Sequence, residues 1–452
     1  ALAASKDDFD AQGRKTLAAR MAAWDWDAII MTHSSFGKMQ ASPKHVEAFI
    51  KAEILKLRSS MSVEDDKVTV KELEAAVARM EKRLTDLSNT KVKDDFLTLE
   101  QCGVDALFVD EADLFKNLYR ASRMTRVAGL PNVDSQRAFD MLLKVREIER
   151  VRNDRTGVVF ATGTPVANSM AELWVMQYYL QHHTLIAMGY DQFDSWAATF
   201  GKVVKGLEVR PDGGGYRINA RFAKFTNLPE LLAVFAEIAD VQTREMLSLP
   251  TPITHHQTIQ AEGSAALKAY VNHLVKRAEA IKDRKVKPKD DNMLSVTFDG
   301  RCAATDMRLV GGEDEQGSKI NLCVAKVAEV YKDSTPVLGT QLVFLDISTP
   351  TGPGWSLYTD IKAKLVAKGI PEDEVAFVHD AGTDAALAKL FAKVRSGKVR
   401  VLLGSTAKMG CGTNVQTRLV ALHHIDAPWR PRDVEQREGR IERQGNQNAE
   451  VW

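Results

Sequence analysis

The sequence predicts an α/β protein with two lobes, each built on a parallel sheet. Short apolar runs alternate with segments of helical periodicity, which is typical of consecutive βαβ units. The 452 residues are too many for one compact domain and suit two or three. Each apolar run ends in small or polar residues, and the carboxyl edge of a parallel sheet is where ligands bind. The runs that predict strands are Ala28–Met31, Ala106–Val109, Val158–Ala161, Leu342–Leu345, Val375–Val378, Val399–Leu403 and Val420–His423.

Composition and charge are those of an ordinary globular protein. Hydrophobic residues make up 44% of the chain and charged residues 27%, so the chain can bury a core. The 61 basic and 60 acidic residues give a formal net charge of +1. That balance neither demands nor excludes a nucleic-acid partner, because a basic groove can lie on a neutral protein.

Cysteine usage and the apolar runs exclude several classes of protein. The cysteines are scattered without a CxxC pair, which argues against a disulfide framework or a zinc site and favours a reducing compartment. They are Cys102, Cys302, Cys323 and Cys411. The N-terminal segment lacks the apolar stretch of a signal peptide, and no run of about 18 apolar residues could span a membrane. We therefore predict a cytoplasmic protein without a membrane partner.

We predict a first lobe over residues 1–250 and a second over 251–452. The first carries an antiparallel helical hairpin over about 43–90, because two apolar stripes recur at steps of three and four residues. The stripes are Val46, Ile50, Ile54 and Leu57, and Val70, Leu73, Val77, Met80, Leu84 and Leu87. We interpret the hairpin as a structural spacer, with a functional role as the alternative. Residues 171–249 are predicted to be mostly helical, broken by a turn at Pro211–Gly215.

The first motif with chemical meaning is an apolar strand that ends in acidic residues, VDALFVDEADLFKN at Val104–Asn117. ATPases place one carboxylate on Mg²⁺ at such a strand end and a second beside the attacking water. In this pattern Asp110 holds the metal, Glu111 is the general base, and Asp113 belongs to the same turn. The alternative is an acidic helix N-terminus, where the helix dipole favours carboxylates in any case.

The second motif is VVFATGTPVANSMAELW at Val158–Trp174, where a strand runs into a tight turn and then a helix. Thr162, Gly163 and Thr164 are candidate nucleotide-binding residues of this turn, and Pro165 suits a first helical turn. The alternative is a generic strand–turn–helix junction capped by Thr164.

The third motif is the most specific. A glycine-rich stretch, LLGSTAKMGCGTNVQ, is followed by HHIDAPWRPRDVEQREGRIERQGN at His423–Asn446. On a helix from near Pro431 to Gly445, one set of residues clusters through three- and four-residue steps, namely Gln436, Gly439, Arg440 and Arg443. Two planar guanidinium groups on one face suit the arginine-finger role, which stabilises the charge of a transferring phosphoryl group. The alternative is a solvated, salt-bridged helix of Glu435, Glu438 and Glu442, which explains neither Gln436 nor the glycines.

Together these motifs resemble motifs II, III, V and VI of superfamily-two helicases of the DEAD/DEAH type. Three details are similar to the Swi/Snf-like branch: Lys116-Asn117 after the acidic motif, the stretch TGTPVANSMAELW, and Ser405-Thr406 before a glycine loop. Closer still, WDAIIMTHSSFGK and DAPWRP resemble the helicase part of helicase–methyltransferase fusion proteins of phages and mobile elements. The similarity covers nearly the whole chain.

The resemblance implies two RecA-like lobes of a P-loop NTPase fold that bind ATP and Mg²⁺ between them and translocate on duplex DNA. It adds Gln436 to the catalytic residues and implies nucleotide contacts from Thr162, Gly163, Thr164, Gly410, Gly412 and Asn414. It implies nucleic-acid contacts from Thr32, His33, Ser34, Lys116, Asn117, Ser405, Thr406 and Lys408. A helix-capping role is an equal alternative for Thr32–Ser34. It also implies a bacterial or phage-associated protein with a methyltransferase domain in the full-length chain.

One element of the family pattern is missing, the phosphate loop G-x-x-x-x-G-K-[ST]. Gly13–Thr16 lacks the upstream glycine, and Phe36–Met39 ends in methionine, which offers no hydroxyl to Mg²⁺. Because the loop precedes this region in the family, we expect an N-terminally truncated fold and an inactive fragment. Two other functions stay open. One is a catalytically silent module that binds DNA or protein. The other is an RNA-directed DEAD-box helicase, against which Lys116-Asn117 argues.

Overall fold

The computed structural model describes residues 1–452 apart from 5–6, 11–12, 63–66, 90–97, 121, 123, 125–126, 131–133, 153–155, 168, 210–215, 351, 353 and 411–412. The described chain forms two compact units. The first is built from Ala1–Glu208 and Tyr216–Asp240, and the second contains Val241–Trp452. Within the described ranges, no helix combines the length and the apolar character needed to cross a bilayer.

Two pairs of short parallel strands organise the first unit. β1 (Leu2–Ala3) pairs with β2 (Ile29–Ile30), and β3 (Leu107–Val109) pairs with β4 (Val158–Phe160). The strands β2, β3 and β4 lie within the runs predicted from the sequence. Their Ile, Val and Phe side chains suit a pleated, half-buried surface.

The first four helices of this unit are α1 (Gly13–Ala23), α2 (His33–Phe36), α3 (Pro43–Ser62) and α4 (Lys67–Asn89). The segment predicted as a helical hairpin contains α3 and α4. Both apolar stripes contribute to one buried core, through Ile50, Ile54 and Leu57 from α3 and Leu73, Val77 and Met80 from α4. Burial of these two stripes therefore fastens the hairpin to the rest of the unit.

The remaining helices of this unit are α5 (Gln136–Arg152), α6 (Ala171–Leu180), α7 (His182–Met188), α8 (Phe193–Phe200) and α9 (Leu228–Ala236). A two-stranded sheet of β5 (Gly201–Val209) and β6 (Tyr216–Phe225) lies between α8 and α9. This sheet corrects the mostly helical prediction for 171–249. Its β-branched and aromatic residues, such as Val203, Val204 and Ile218, favour extended backbone. The turn predicted at Pro211–Gly215 lies outside the described residues.

The second unit is built around a four-stranded parallel sheet. Its helices are α10 (Arg244–Leu247), α11 (Ala265–Lys282), α12 (Met293–Thr305), α13 (Lys319–Asp333), α14 (Leu357–Ala367), α15 (Asp384–Arg395), α16 (Thr406–Met409) and α17 (Pro431–Glu438). Its strands are β7 (Ile253–Thr254), β8 (Thr340–Phe344), β9 (Val375–Phe377), β10 (Val401–Gly404), β11 (Leu419–His424) and β12 (Glu450–Val451). The order in the sheet is β11-β8-β10-β9, and β12 pairs with β7.

Both faces of this sheet are covered, as parallel sheets require. Along β8, Leu342 and Phe344 belong to one buried cluster, whereas Val343 belongs to the cluster on the other face. The prediction of an α/β protein with parallel sheets is therefore confirmed. The carboxyl ends of β8, β10 and β11 meet at one edge, which collects the polar residues that follow these strands.

Candidate functional site

In the first unit, the acidic motif and the Thr-Gly-Thr turn each follow one of two neighbouring strands. β3 and β4 are parallel, with Val109 opposite Phe160. Beyond the strands, the Ala161 amide donates to the Val109 carbonyl at 2.8 Å and the Ala112 amide donates to the Ala161 carbonyl at 3.0 Å. The exposed Asp110 therefore lies at the same sheet edge as the turn that follows β4.

Glu111 has an unusual backbone conformation, with φ of 50° and ψ of 47°. A non-glycine residue in this left-handed region costs on the order of 1–3 kcal/mol and persists where the surroundings enforce it, often at functional sites. The preceding Asp110 carboxylate accepts a hydrogen bond from the Glu111 amide at 3.0 Å. The two acidic residues thus leave the strand through a strained bend, which the sequence gives no means of predicting.

Asp113 joins the two motifs of this edge. Its side chain is buried, and its Oδ1 accepts a hydrogen bond from the Thr162 hydroxyl at 3.3 Å. Thr162 in turn accepts from the Thr164 amide at 3.1 Å. The threonine side chains therefore order the turn around the acidic motif. Gly163 is exposed at the tip of the turn, where an added Cβ would meet no atom within 4 Å.

Lys116 lies in a buried ion pair. Its ammonium is 3.2 Å from Glu172 Oε1, and both side chains are 6% exposed. The other carboxylate oxygen of Glu172 accepts from the Ala167 amide at 2.6 Å. These surroundings do not support the expected nucleic-acid contact by Lys116, because its ammonium group is paired with Glu172 inside the unit. Asn117 is exposed, and its carbonyl accepts from the Ser135 amide at 3.1 Å.

The Thr32–Ser34 segment caps a helix next to the acidic motif. Thr32 is the N-cap of α2, and its hydroxyl accepts from the Ser35 amide at 3.2 Å. Thr32 also shares a hydrogen bond of 3.0 Å with the hydroxyl of the exposed Ser34. The capping alternative is therefore what the structure shows for Thr32.

His33 faces Asp110, and Arg137 lies 2.9 Å from its Nδ1. Burial and the Arg137 charge lower the pKa of His33, while a hydrogen bond with the Asp110 backbone and the charges of Asp110 and Glu111 oppose that shift. A histidine with a lowered pKa is thus placed beside the acidic pair.

In the second unit, a fully buried arginine organises the sheet edge. The Arg437 guanidinium contacts Asp346 Oδ2 at 2.8 Å, Asp426 Oδ1 at 3.1 Å and the Thr406 hydroxyl at 2.8 Å. Asp346 also accepts from the Thr406 amide at 2.6 Å, and its own amide donates to Asp426 at 2.8 Å. Loops after β8, β10 and β11 are thereby tied to α17.

Sequence reasoning missed this network. The available signal was that two predicted strands are each followed closely by an acidic residue, the partly buried Asp346 after β8 and the buried Asp426 after β11. A buried carboxylate beside a second acidic residue at one sheet edge is costly unless a cation is paired with it. Arg437 lies within the charged stretch QREGRIER, and the pattern of this stretch does not distinguish a buried arginine from exposed ones.

The prediction of one helical face for the arginines needs correction, because α17 ends at Glu438. From there the backbone tightens, since the Arg440 amide donates to the carbonyl three residues earlier, that of Arg437, at 3.0 Å. Arg440 and Arg443 therefore lie on the turn after the helix. Gly445, with φ of 80°, closes that turn rather than the helix.

The two arginines have different surroundings. Arg440 donates to the carbonyls of Gly410 and Thr413, and its Nε donates to the Gln436 carbonyl at 3.3 Å. It thus holds the loop that follows α16. Among the described residues, the half-buried Arg443 guanidinium has no hydrogen-bond or ion-pair partner. Arg443 is therefore the guanidinium with capacity for a ligand.

The glycine loop is only partly described. An added Cβ at Gly410 would meet the Thr406 carbonyl oxygen at 2.3 Å, so only glycine fits there. Asn414 is exposed, and its carbonyl accepts from Arg395 at 2.8 Å. Gly412 lies outside the described residues.

The predicted nucleic-acid contacts of the second unit differ in exposure. Ser405 is buried, and its hydroxyl lies 3.4 Å from His379 Nε2. Thr406 is engaged by Asp346 and Arg437, as described above. Lys408 is exposed, and burial followed by the Lys408 charge lowers the pKa of His379. Of these three, Lys408 is the side chain that can reach a phosphate without breaking an internal bond.

Comparisons with known proteins place the chain among helicases. The family model described as a probable helicase domain matches residues 1–243. No curated protein matches the chain.

Two solved structures are similar at low identity. The C-terminal part of the Fun30 ATPase domain is 14% identical with a TM-score of 0.32, over 45% of this chain and 84% of that chain. The Hef helicase domain of Pyrococcus furiosus is 12% identical with a TM-score of 0.28, over 76% of this chain and 70% of that chain. At these TM-scores the likeness carries no argument about substrate or mechanism.

Proposed function

The chain belongs to the probable helicase domain family, and from this premise we propose that it is the motor part of an ATP-dependent translocase acting on duplex DNA. Membership in a helicase family implies ATP use and nucleic-acid binding. Beyond ATP use and nucleic-acid binding, we propose that the substrate is duplex DNA, that the motor moves along it, and that individual residues have the roles given below.

The observation that carries the proposal is the placement of Asp110 and Glu111 beside the Thr162 turn at one sheet edge. Oxygen ligands of this kind suit Mg²⁺, which prefers carboxylate, carbonyl and water. When bound, Mg²⁺ neutralises charge on the phosphates of ATP. Asp110 is the residue that would hold it, and Glu111 would accept a proton from the attacking water.

The neighbouring histidine fits this assignment. Burial and the Arg137 charge lower the pKa of His33, which disfavours a competing positive charge beside Asp110, where a metal ion is to be held. The Arg137 guanidinium lies 2.9 Å from Nδ1 of the imidazole. The pair would fix the imidazole while leaving the Asp110 carboxylate exposed for the metal.

In the second unit, we assign the charge-stabilising role chiefly to Arg443. Arginine fingers act through a guanidinium that is free to meet the transferring phosphoryl group. Arg440 is held by two loop carbonyls and would position the glycine loop, and Gln436 would assist through its side chain. Arg437 is fully buried and would keep the sheet edge in shape without contacting the nucleotide.

Nucleic-acid contacts are proposed for exposed groups, with Lys408, Ser34 and Asn117 as the first candidates. Phosphate contacts position a protein on nucleic acid but do not read its sequence. A motor that moves along DNA needs this sequence-independent grip, so we expect little sequence preference.

The substrate can be tested with the full-length protein that carries this chain. We expect ATP-dependent displacement of a third strand from a DNA triplex, which reports movement along duplex DNA. We also expect duplex DNA to stimulate ATP turnover more than RNA does. Stronger stimulation by RNA, or strand separation without triplex displacement, would contradict a duplex translocase.

A further inference from the structure

A cluster of metal-binding side chains lies in the first unit, among residues to which the proposed motor chemistry gives no role. It consists of His45 near the start of α3, Glu100 in the turn before β3, and Glu147 in α5. One ligand atom from each residue lies within 4.8 Å of the other two. Three separate elements of the unit thus converge on one point.

The distances within the cluster match those around a small metal ion. His45 Nδ1 is 3.2 Å from Glu147 Oε2 and 3.9 Å from Glu100 Oε2. Tetrahedral zinc with nitrogen and oxygen ligands at about 2.0–2.2 Å places those ligand atoms about 3.4 Å apart. The atoms therefore need only small shifts to share one ion.

The orientation of the imidazole also favours an ion over a hydrogen bond. His45 Nδ1 is buried, yet among the described residues it has no hydrogen-bond partner, although a carboxylate oxygen lies 3.2 Å away. Ligands of a tetrahedral ion point at the common centre instead of at each other. In that arrangement the ligand atoms lie close together but are poorly aligned for a hydrogen bond with each other.

A second shell orients both carboxylates. Arg150 Nη2 contacts Glu100 Oε1 at 2.9 Å and Glu147 Oε1 at 3.1 Å. Each glutamate thus binds the arginine through Oε1 and turns Oε2 toward His45. Such outer-shell partners fix first-shell ligands and are typical of metal centres. Glu147 is only 2% exposed, so its position is set by packing as well.

We propose that His45, Glu100 and Glu147 form a site for one zinc-type divalent ion, with a water as fourth ligand. A pocket of about 140 Å³ beside His45 and Glu147 leaves room for that water. The ion fastens the first helix of the hairpin to α5 and to the turn that leads into the acidic strand. A set of one imidazole and two carboxylates suits zinc, whereas Mg²⁺ prefers oxygen ligands alone.

Zinc binding to the full chain tests the proposal directly. Metal-free protein should take up one Zn²⁺ with high affinity in competition with a chromophoric chelator. X-ray absorption should show nitrogen and oxygen ligands at about 2.0–2.2 Å, including one imidazole. Loss of outer-shell partners alone costs about 10–100-fold in affinity, so Glu147→Gln and His45→Ala should each weaken binding by more than about 100-fold.

Two further variants keep the test decisive. Glu100→Gln changes a ligand whose side chain is 45% exposed, so it should weaken zinc binding without affecting folding. The control is Glu450→Gln, which disrupts a His–Glu pair of 3.2 Å with His255 in the second unit and should leave zinc affinity unchanged. Equal zinc uptake by the wild type and all three cluster variants would overturn the proposal. It would identify the cluster as an ion-pair network organised by Arg150.

Discussion

The Arg437 guanidinium lies 2.8 Å from Asp346 Oδ2 with its side chain fully buried, and this contact joins the last turn of α17 to the loop after β8. A second contact, with Asp426 at 3.1 Å, means that one cation serves two carboxylates. The sheet edge that carries the glycine loop and the Arg440–Arg443 turn therefore depends on a single buried charge.

Replacing this charge should destabilise the second unit strongly. Arg437→Gln leaves Asp346 and Asp426 without their guanidinium, and breaking a buried ion pair from one side costs about 3–5 kcal/mol. Urea unfolding should show this loss in the free energy of unfolding. Arg443→Gln is the matched control. The Arg443 side chain is half-buried and pairs with none of the residues that the structure describes, so its loss should change the value by no more than about 0.5 kcal/mol. Equal stabilities for the two variants would show that the network does not hold the edge.

The buried Lys116–Glu172 pair should contribute to stability as a coupled unit. Lys116→Met leaves an uncompensated buried carboxylate and should cost about 3–5 kcal/mol, whereas Lys116→Met combined with Glu172→Leu should recover part of the loss. A double-mutant cycle in urea measures the coupling directly. Strict additivity of the two single changes would mean that the ion pair has no energetic role.

The sequence predicts the strands and the hairpin well because both depend on local apolar periodicity. The runs at Val375–Val378 and Val420–His423 are found as β9 and β11 because their side chains must be buried on both faces of the sheet. The end of α17 is not predictable in the same way. Charged residues continue past Glu438, and only the hydrogen-bond pattern shows that the helix has stopped.

Residue roles were harder to predict than residue positions. The sequence places Lys116 and Lys408 in the same class of basic motif residue, yet one is buried against Glu172 and the other is exposed. The difference comes from α6, which brings Glu172 to Lys116 across a long sequence separation. No local pattern carries that information.

These two lysines should differ in their effect on nucleic-acid binding. Each phosphate contact contributes about −0.9 to the slope of log affinity against log salt on duplex DNA. Lys408→Ala should therefore reduce the steepness of that slope by nearly one unit, whereas Lys116→Met should leave it unchanged. Affinity titrations of duplex DNA at several salt concentrations measure both. A reduced slope for Lys116→Met would restore its role as a nucleic-acid contact.

Acid should destabilise the second unit through His423, whose Nε2 lies 2.8 Å from Gln341 Oε1. Burial, followed by the charges of His424 and Lys326, lowers the pKa of His423 to about 4. Between the ordinary pKa of about 6.5 and this value, the unfolded chain binds a proton that the folded chain does not, so stability falls as pH falls. His423→Gln should make that fall shallower by up to about 1.4 kcal/mol per pH unit. An unchanged dependence of the unfolding free energy on pH would contradict the assignment.

The most direct test of the motor is DNA-stimulated ATP turnover by the full-length protein that carries this chain. Glu111→Gln removes the proposed base and Arg443→Gln the proposed charge-stabilising group. Glu111→Gln should lower kcat by about 10²–10⁴-fold, the range for one general base, and Arg443→Gln by about 10³–10⁵-fold, the range for one arginine finger. DNA affinity should stay within about twofold in both variants. Glu435→Gln, an exposed change on α17, should leave turnover at the wild-type level. Wild-type kcat in both Glu111→Gln and Arg443→Gln would contradict the account.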